Sequence, residues 1–128
     1  MAKRILQIVE SAYRGTLEEQ DDTVVWLTHA MKGAGAELSL LLQGHAVNYA
    51  VRQQDASGLS FGDRRQTQPP RIHEDLARLV DKGVAVHLVR EDLEERGIDA
   101  EELIPGARPI AFAELPRLCA EHDLVWRW

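Results

Sequence analysis

Short apolar runs alternate with amphipathic helical stretches along the chain, and no other sequence feature constrains its fold as strongly. Residues 4–10 hold Ile5, Leu6, Ile8 and Val9 in a run broken only by Gln7, a length and β-branched content that suit a buried strand. After a polar connection over residues 11–20, Asp21 and Asp22 supply a cap and negative charge at the start of a helix. The helical stripe is Val24, Leu27, Thr28 and Met31, with Lys32 in the last turn and Gly33 and Gly35 as the stop. Residues 37–42 form a second apolar run that ends before Gln43 and Gly44. Strand, helix and strand joined by short links predict a parallel βαβ unit.

The alternation continues. Residues 46–52 have the spacing of a short helix, and residues 71–82 form a clear one, striped by Ile72, Leu76, Leu79 and Val80. Pro70 stands near its start and Gly83 beyond its end. A third strand is expected over residues 84–89, a charged helix over 91–96 and a further turn over 100–103. A fourth strand over 108–112, a helix over 114–122 and a fifth strand over 124–128 complete the pattern. Residues 55–70, rich in Ser, Gly, Gln and Pro and carrying Arg64 and Arg65, are expected to be a functional or mobile loop. The reading is an α/β fold over residues 1–128 as a single domain, a five-stranded, mostly parallel sheet with helices on both faces.

Composition narrows the function classes. The net charge is −6, which argues against nucleic-acid binding, because neutralising phosphates requires clustered surplus Lys and Arg. No stretch approaches the roughly 18 apolar residues of a membrane span, and the first residues are too weakly apolar for a signal peptide. A cytoplasmic protein is expected, with neither nucleic acid nor membrane as a partner. The chain's one cysteine cannot form an internal disulfide or a Cys-rich zinc site, and its five histidines include no pair at metal-ligand spacing. Neither a metal nor a cofactor is expected. The G-x-G-x-x-G, G-x-x-x-x-G-K-[ST] and G-x-S-x-G patterns are all missing from the sequence.

Ligands of open parallel sheets meet the carboxyl ends of the strands. Here those ends bring Glu10, Tyr13, Arg14, His45, Asn48, Arg90 and Glu91 as candidate ligand-binding residues. His45 stands out because it follows a strand and a glycine and opens a helix. His29 and His73 are expected near the surface of helices, and His87, flanked by Val86 and Leu88, as a hydrogen-bonded interior residue. Cys119 shares a helical face with Leu115 and Leu118 and should pack on the sheet, where a thiol in apolar surroundings is inert. Trp126 and Trp128 lie on one side of the last strand, where they either anchor a subunit interface or cap the domain's own core.

From the third strand onward the chain reads Gly83, Val84 and Val86, then Asp92, Leu93, Glu94, Glu95, Arg96, Gly97 and Ile98, then Glu102, Leu103, Ile104 and Gly106. Glu114, Leu115 and Pro116 follow, and the series closes with Asp123 and Val125. In order and spacing, together with Met31, Lys32, Gly33, Ala34 and Gly35 at the end of the first helix, the chain resembles the DsrE/DsrF-like family, which includes TusD-type sulfur-relay subunits. The resemblance implies a five-stranded parallel sheet, self-association into trimers or hexamers, a sulfur-carrier protein as partner and a place in sulfur metabolism. It also implies a persulfide-forming cysteine at or just after the end of the third strand. The matching positions here are about Val89 and Asp92, and neither is a thiol.

These residues support three functions. The first is a non-catalytic DsrE-like homo-oligomer that binds a ligand or partner at the strand ends, and the missing thiol favours it. The second is a persulfide carrier using Cys119. The third is an enzyme acting on a small anionic substrate at Glu10, Tyr13 and His45, with Arg64 and Arg65 closing over it.

Overall fold

The computed structural model describes residues 3–13, 20–54 and 58–128. Strand β1 (Arg4–Val9), helix α1 (Thr23–Gly33) and strand β2 (Glu37–Leu42) form the expected βαβ unit. A 3-10 segment, Gly44–Ala50, takes the place of the short α-helix expected there. Strands β3 (Ser60–Phe61) and β4 (Arg64–Arg65) precede helix α2 (Ile72–Asp81), strand β5 (Ala85–Val89) and helix α3 (Arg90–Glu95). The chain ends with β6 (Ala107–Ile110), α4 (Leu115–Ala120) and β7 (Leu124–Arg127).

The main sheet has five strands in the order β6-β5-β2-β1-β7, and every pairing is parallel. Chirality then decides which face each helix covers. A right-handed crossover lies on one face when the chain moves one way across a sheet, and on the other when it moves back. From β1 through β2 and β5 to β6 the chain moves in one direction, so α1, the 3-10 segment, α2 and α3 share a face. The return from β6 to β7 puts α4 alone on the other.

The two cores match this division. Val9, Leu40, Leu42, Val86 and Leu88 face Val24 and Val25 of α1, Val47 and Tyr49 of the 3-10 segment, Leu76 and Leu79 of α2, and Leu93 of α3. Leu6, Ile8, Leu41 and Val89, on alternate positions of the same strands, pack with Leu118, Leu115 and Cys119 of α4. Both faces therefore carry helices, as expected, but unequally. Strands buried on two faces explain the near-continuous apolar runs of β1 and β2.

Gln7 interrupts the β1 run, yet it is fully buried. Its Nε2 donates to Thr28 Oγ1 of α1 at 2.7 Å, and Thr28 passes its own proton to the Val24 carbonyl at 2.8 Å. Its Oε1 accepts from the Trp128 indole N–H at 2.9 Å. Both ends of the amide are thus partnered, and β1 is tied to α1 and to the last residue of the chain. Trp128 caps the domain's own core through this bond, while Trp126 and Trp128 both remain partly exposed.

The stretch expected to be a loop over residues 55–70 contains a small antiparallel hairpin, Ser60 opposite Arg65 and Phe61 opposite Arg64. Gly62, at φ +61°, supplies the left-handed turn residue. Gly58 is required nearby, since a Cβ there would stand 2.5 Å from the Gln66 carbonyl oxygen. Two-residue strands carry too little periodicity to be read from sequence.

Thr28→Val preserves shape and removes the acceptor of the Gln7 amide proton. We expect it to lower stability in urea unfolding by about 1–3 kcal/mol, the range for a buried polar group left without its partner.

Candidate functional site

The carboxyl ends of β1, β2 and β5 lie side by side, and most of the residues expected there are found there. Beyond β1, Tyr13 has φ 62°, a left-handed conformation that costs a non-glycine residue about 1–3 kcal/mol. The fold holds it there by hydrogen bonding. The Tyr13 N–H donates to Tyr49 Oη at 2.5 Å, and that hydroxyl donates to Asp22 Oδ2 at 2.7 Å. Asp22 Oδ1 in turn accepts from the N–H groups of Val24 and Val25 at 2.9 and 3.0 Å, so it is the N-cap of α1. The two tyrosine rings meet edge to face, 5.0 Å between centroids. Partial burial pushes the Tyr13 phenol above its usual range.

A second network links β2 to β5. Gly44, at φ +58°, follows β2 closely, and its N–H donates to Asp92 Oδ2 at 2.7 Å. His45 Nδ1 lies 3.2 Å from Arg96 Nη2. A guanidinium can only donate, so Nδ1 accepts and the imidazole proton resides on the exposed Nε2. Arg96 Nη1 donates to the Asp92 carbonyl at 3.0 Å, while Arg96 Nε is buried with no hydrogen-bond partner. Asn48 Nδ2 donates to the His45 carbonyl at 2.9 Å.

The remaining candidates divide. Glu10 forms an ion pair with Arg127 of β7, Oε2 to Nη2 at 2.5 Å, which ties it to the sheet edge. Arg90 opens α3, exposed, with no side-chain hydrogen bond or ion pair among the described residues. The Glu91 carboxylate accepts from the Phe112 N–H at 2.9 and 3.1 Å, joining α3 to the segment after β6. Arg14 lies outside the described residues. Arg64 and Arg65 are exposed on the hairpin. Cys119 is partly buried on α4 at the margin of the cluster formed by Leu6, Ile8, Leu41, Val89 and Leu118, and the strand-end set belongs to another part of the sheet.

Sequence reasoning missed Tyr49, Asp92 and Arg96 as parts of these networks. Asp92 on α3 and Arg96, the residue that caps it, are four positions apart, and that spacing was the available signal. Tyr49 had none, because its reach depends on the 3-10 geometry of its segment.

Of the histidines, His29 has a role the sequence did not reveal and His87 departs from expectation. His29 is a bridge between helices: its Nε2 bonds the Asp75 carbonyl of α2 at 2.8 Å and its Nδ1 lies 3.0 Å from Lys82 Nζ. His87 is not hydrogen-bonded at Nδ1, which is buried without a partner. Burial, and then the charge of Arg108, lower its pKa below the usual imidazole range; Arg117 and His122 act the same way and Glu121 opposes them. Among the described residues no group of three or more His, Cys, Asp or Glu side chains is placed to hold a metal ion. None of the helices described is long and apolar enough to cross a membrane.

This open, all-parallel α/β architecture is shared with solved structures. The ychN protein of E. coli superposes with a TM-score of 0.74 at 22% identity over 100% of both chains. MTH1491 of Methanobacterium thermoautotrophicum, a protein of unknown function, gives 0.63 at 15% identity over 98% of this chain and 99% of that one. BT1422 of Bacteroides thetaiotaomicron, also of unknown function, gives 0.65 at 9% identity over 98% and 95%. The likeness is one of fold. No protein-family model matches the sequence, and no curated protein does.

Two outcomes test this geometry. Tyr49→Phe removes the hydroxyl that both accepts from Tyr13 and donates to Asp22, and should cost about 1–3 kcal/mol while speeding amide exchange at Tyr13. The pH dependence follows from His87. Above the unfolded imidazole value of about 6.5, folded and unfolded chains are both neutral at this residue. Below it the unfolded chain takes up a proton that the folded chain refuses, so stability falls as the pH drops from 7 to 5. Urea midpoints measured over that range should decline less in His87→Gln than in the parent.

Proposed function

We propose that this chain is a DsrE/DsrF-like protein, related by fold to intracellular sulfur-trafficking proteins, and that it acts as a non-catalytic, ligand- or partner-binding homo-oligomer. One observation carries the reading. Where the family's sulfur-handling members place their thiol, this chain has Val89 and Asp92, and the Asp92 carboxylate is bonded to the Gly44 N–H at 2.7 Å. A carboxylate committed to a backbone donor is a structural clamp between β2 and β5, and it has no sulfur chemistry. Cys119 does not take over the role, being packed on α4 beneath the opposite face.

The strand ends then serve recognition. Tyr13 is held in place by Tyr49 and Asp22, and His45, oriented by Arg96, presents Nε2–H, so the surface offers hydrogen-bond donors in fixed positions. A second copy of the chain is the expected partner at β7, an edge strand that exposes Val125 on one side and Trp126 and Trp128 on the other.

Exposure to a sulfane-sulfur donor followed by intact-mass measurement tests the reading, with Cys119→Ser as control. No gain of sulfur is expected, and a gain of one sulfur atom that the control lacks would make the chain a carrier through Cys119. Sedimentation at micromolar concentration should give three or six times the 14.4 kDa chain mass. A monomer would overturn the oligomer.

A further inference from the structure

With α4 alone covering one face of the five-stranded sheet, the amino-terminal ends of the strands are left open beside it. A groove of about 300 Å³ lies there, at the end of the sheet opposite Tyr13 and His45. Its walls include Arg4 at the start of β1, Glu37 and Ser39 on β2, Arg108 on β6, Lys32 at the end of α1 and His122 just after α4. The volume is at the small end of the range for small-molecule sites.

Charge distinguishes this groove. The chain carries a net charge of −6, yet three cations and one carboxylate meet here. Arg71, Arg78, Arg96, Arg117 and Arg127 each stand within ion-pair distance of a carboxylate. The side chains of Arg4, Arg108 and Lys32 have no ion-pair or hydrogen-bond partner among the described residues, and neither does the Ser39 hydroxyl. Lys32 has a local explanation, since the carboxyl end of a helix favours a cation. Arg4 and Arg108 sit on strands and have none.

Two imidazoles stand at or near this wall. His122 gives its Nδ1 to the Leu118 carbonyl at 2.7 Å, and its Nε2 is buried with no partner. His87 pairs in register with Arg108, lies next to groove-lining Ala85 on the same sheet face, and has an orphaned Nδ1. Both nitrogens are closed off from the groove itself, so the two imidazoles serve as reporters at its wall.

We infer that the groove binds a small molecule bearing a tetrahedral, doubly charged oxyanion, a phosphoryl or sulfuryl group. The Arg4 and Arg108 guanidiniums grip it, and Lys32 and the Ser39 hydroxyl complete the donor set. A planar guanidinium matches two oxygens of such a group with two parallel donors. Glu37, on the same wall, disfavours a second acidic group on the molecule.

NMR titration of the full chain with inorganic phosphate and, separately, sulfate, at an ionic strength held constant with chloride, is the test. Saturable shifts at the amides of Arg4, Ser39 and Arg108 and at the imidazoles of His87 and His122 are expected for at least one anion, and the tighter of the two identifies the head group. Arg108→Ala, at an exposed position, should weaken that binding at least tenfold, Arg108→Lys should restore part of it, and Arg65→Ala on the hairpin should leave it unchanged. Lys32→Gln gives a second reading of the same loss. Shifts no larger than chloride produces, or Arg108→Ala and Lys32→Gln both binding as the parent does, would overturn the site.

Discussion

The handedness of the crossovers is the constraint on which the rest of this structure depends. Three successive connections step the same way from β1 to β6, and one long return carries the chain to β7 on the far side of β1. Crossovers in a parallel sheet are right-handed as a rule, and in keeping with it most helical mass lies on one face and a single six-residue helix on the other. The thick face buries the larger core and the polar networks. The thin face leaves a groove at the amino ends of the strands that no helix closes.

Within that frame, buried polar groups set register and position. Gln7 accepts from Trp128 and donates to Thr28, so the central strand, the first helix and the chain's end are fixed to one another. The Asp22 carboxylate has two tasks at once, capping α1 and receiving the Tyr49 hydroxyl that holds Tyr13 in its strained conformation. Such networks stabilise only when complete, because a single missing partner strands a polar group out of reach of water. Removing Thr28's hydroxyl or Tyr49's therefore affects more than the bond each makes.

Much of the architecture was legible in the sequence. The β1, β2 and β5 strands were visible because two-faced burial in a parallel sheet demands unbroken apolar runs, and α1 and α2 because their stripes, caps and stopping glycines agree. Asp22 was recognisable as a cap because capping is a local interaction. Strand order was not legible, since pairing is decided between segments that carry no record of one another. The Ser60–Phe61 hairpin strand fell below the length at which alternation shows. At the strand ends, the candidates Tyr13, His45 and Asn48 followed from topology alone. The partners that fix them, Tyr49 and Arg96, depend on how the 3-10 segment and α3 turn their side chains. His87 was misjudged because its place in a strand predicts burial and says nothing about whether a neighbouring element supplies an acceptor.

The fold is shared with the ychN protein of E. coli. The account rests on Cys119 being a packing residue. Its most direct test is the rate at which a small thiol reagent labels Cys119 in the native protein, compared with the same chain unfolded in urea. Its packing against the core cluster beneath α4 predicts labelling at least tenfold slower in the native state. Equal rates would mean an accessible thiol, and would contradict the view that recognition at the strand ends, with no thiol involved, is what this protein does.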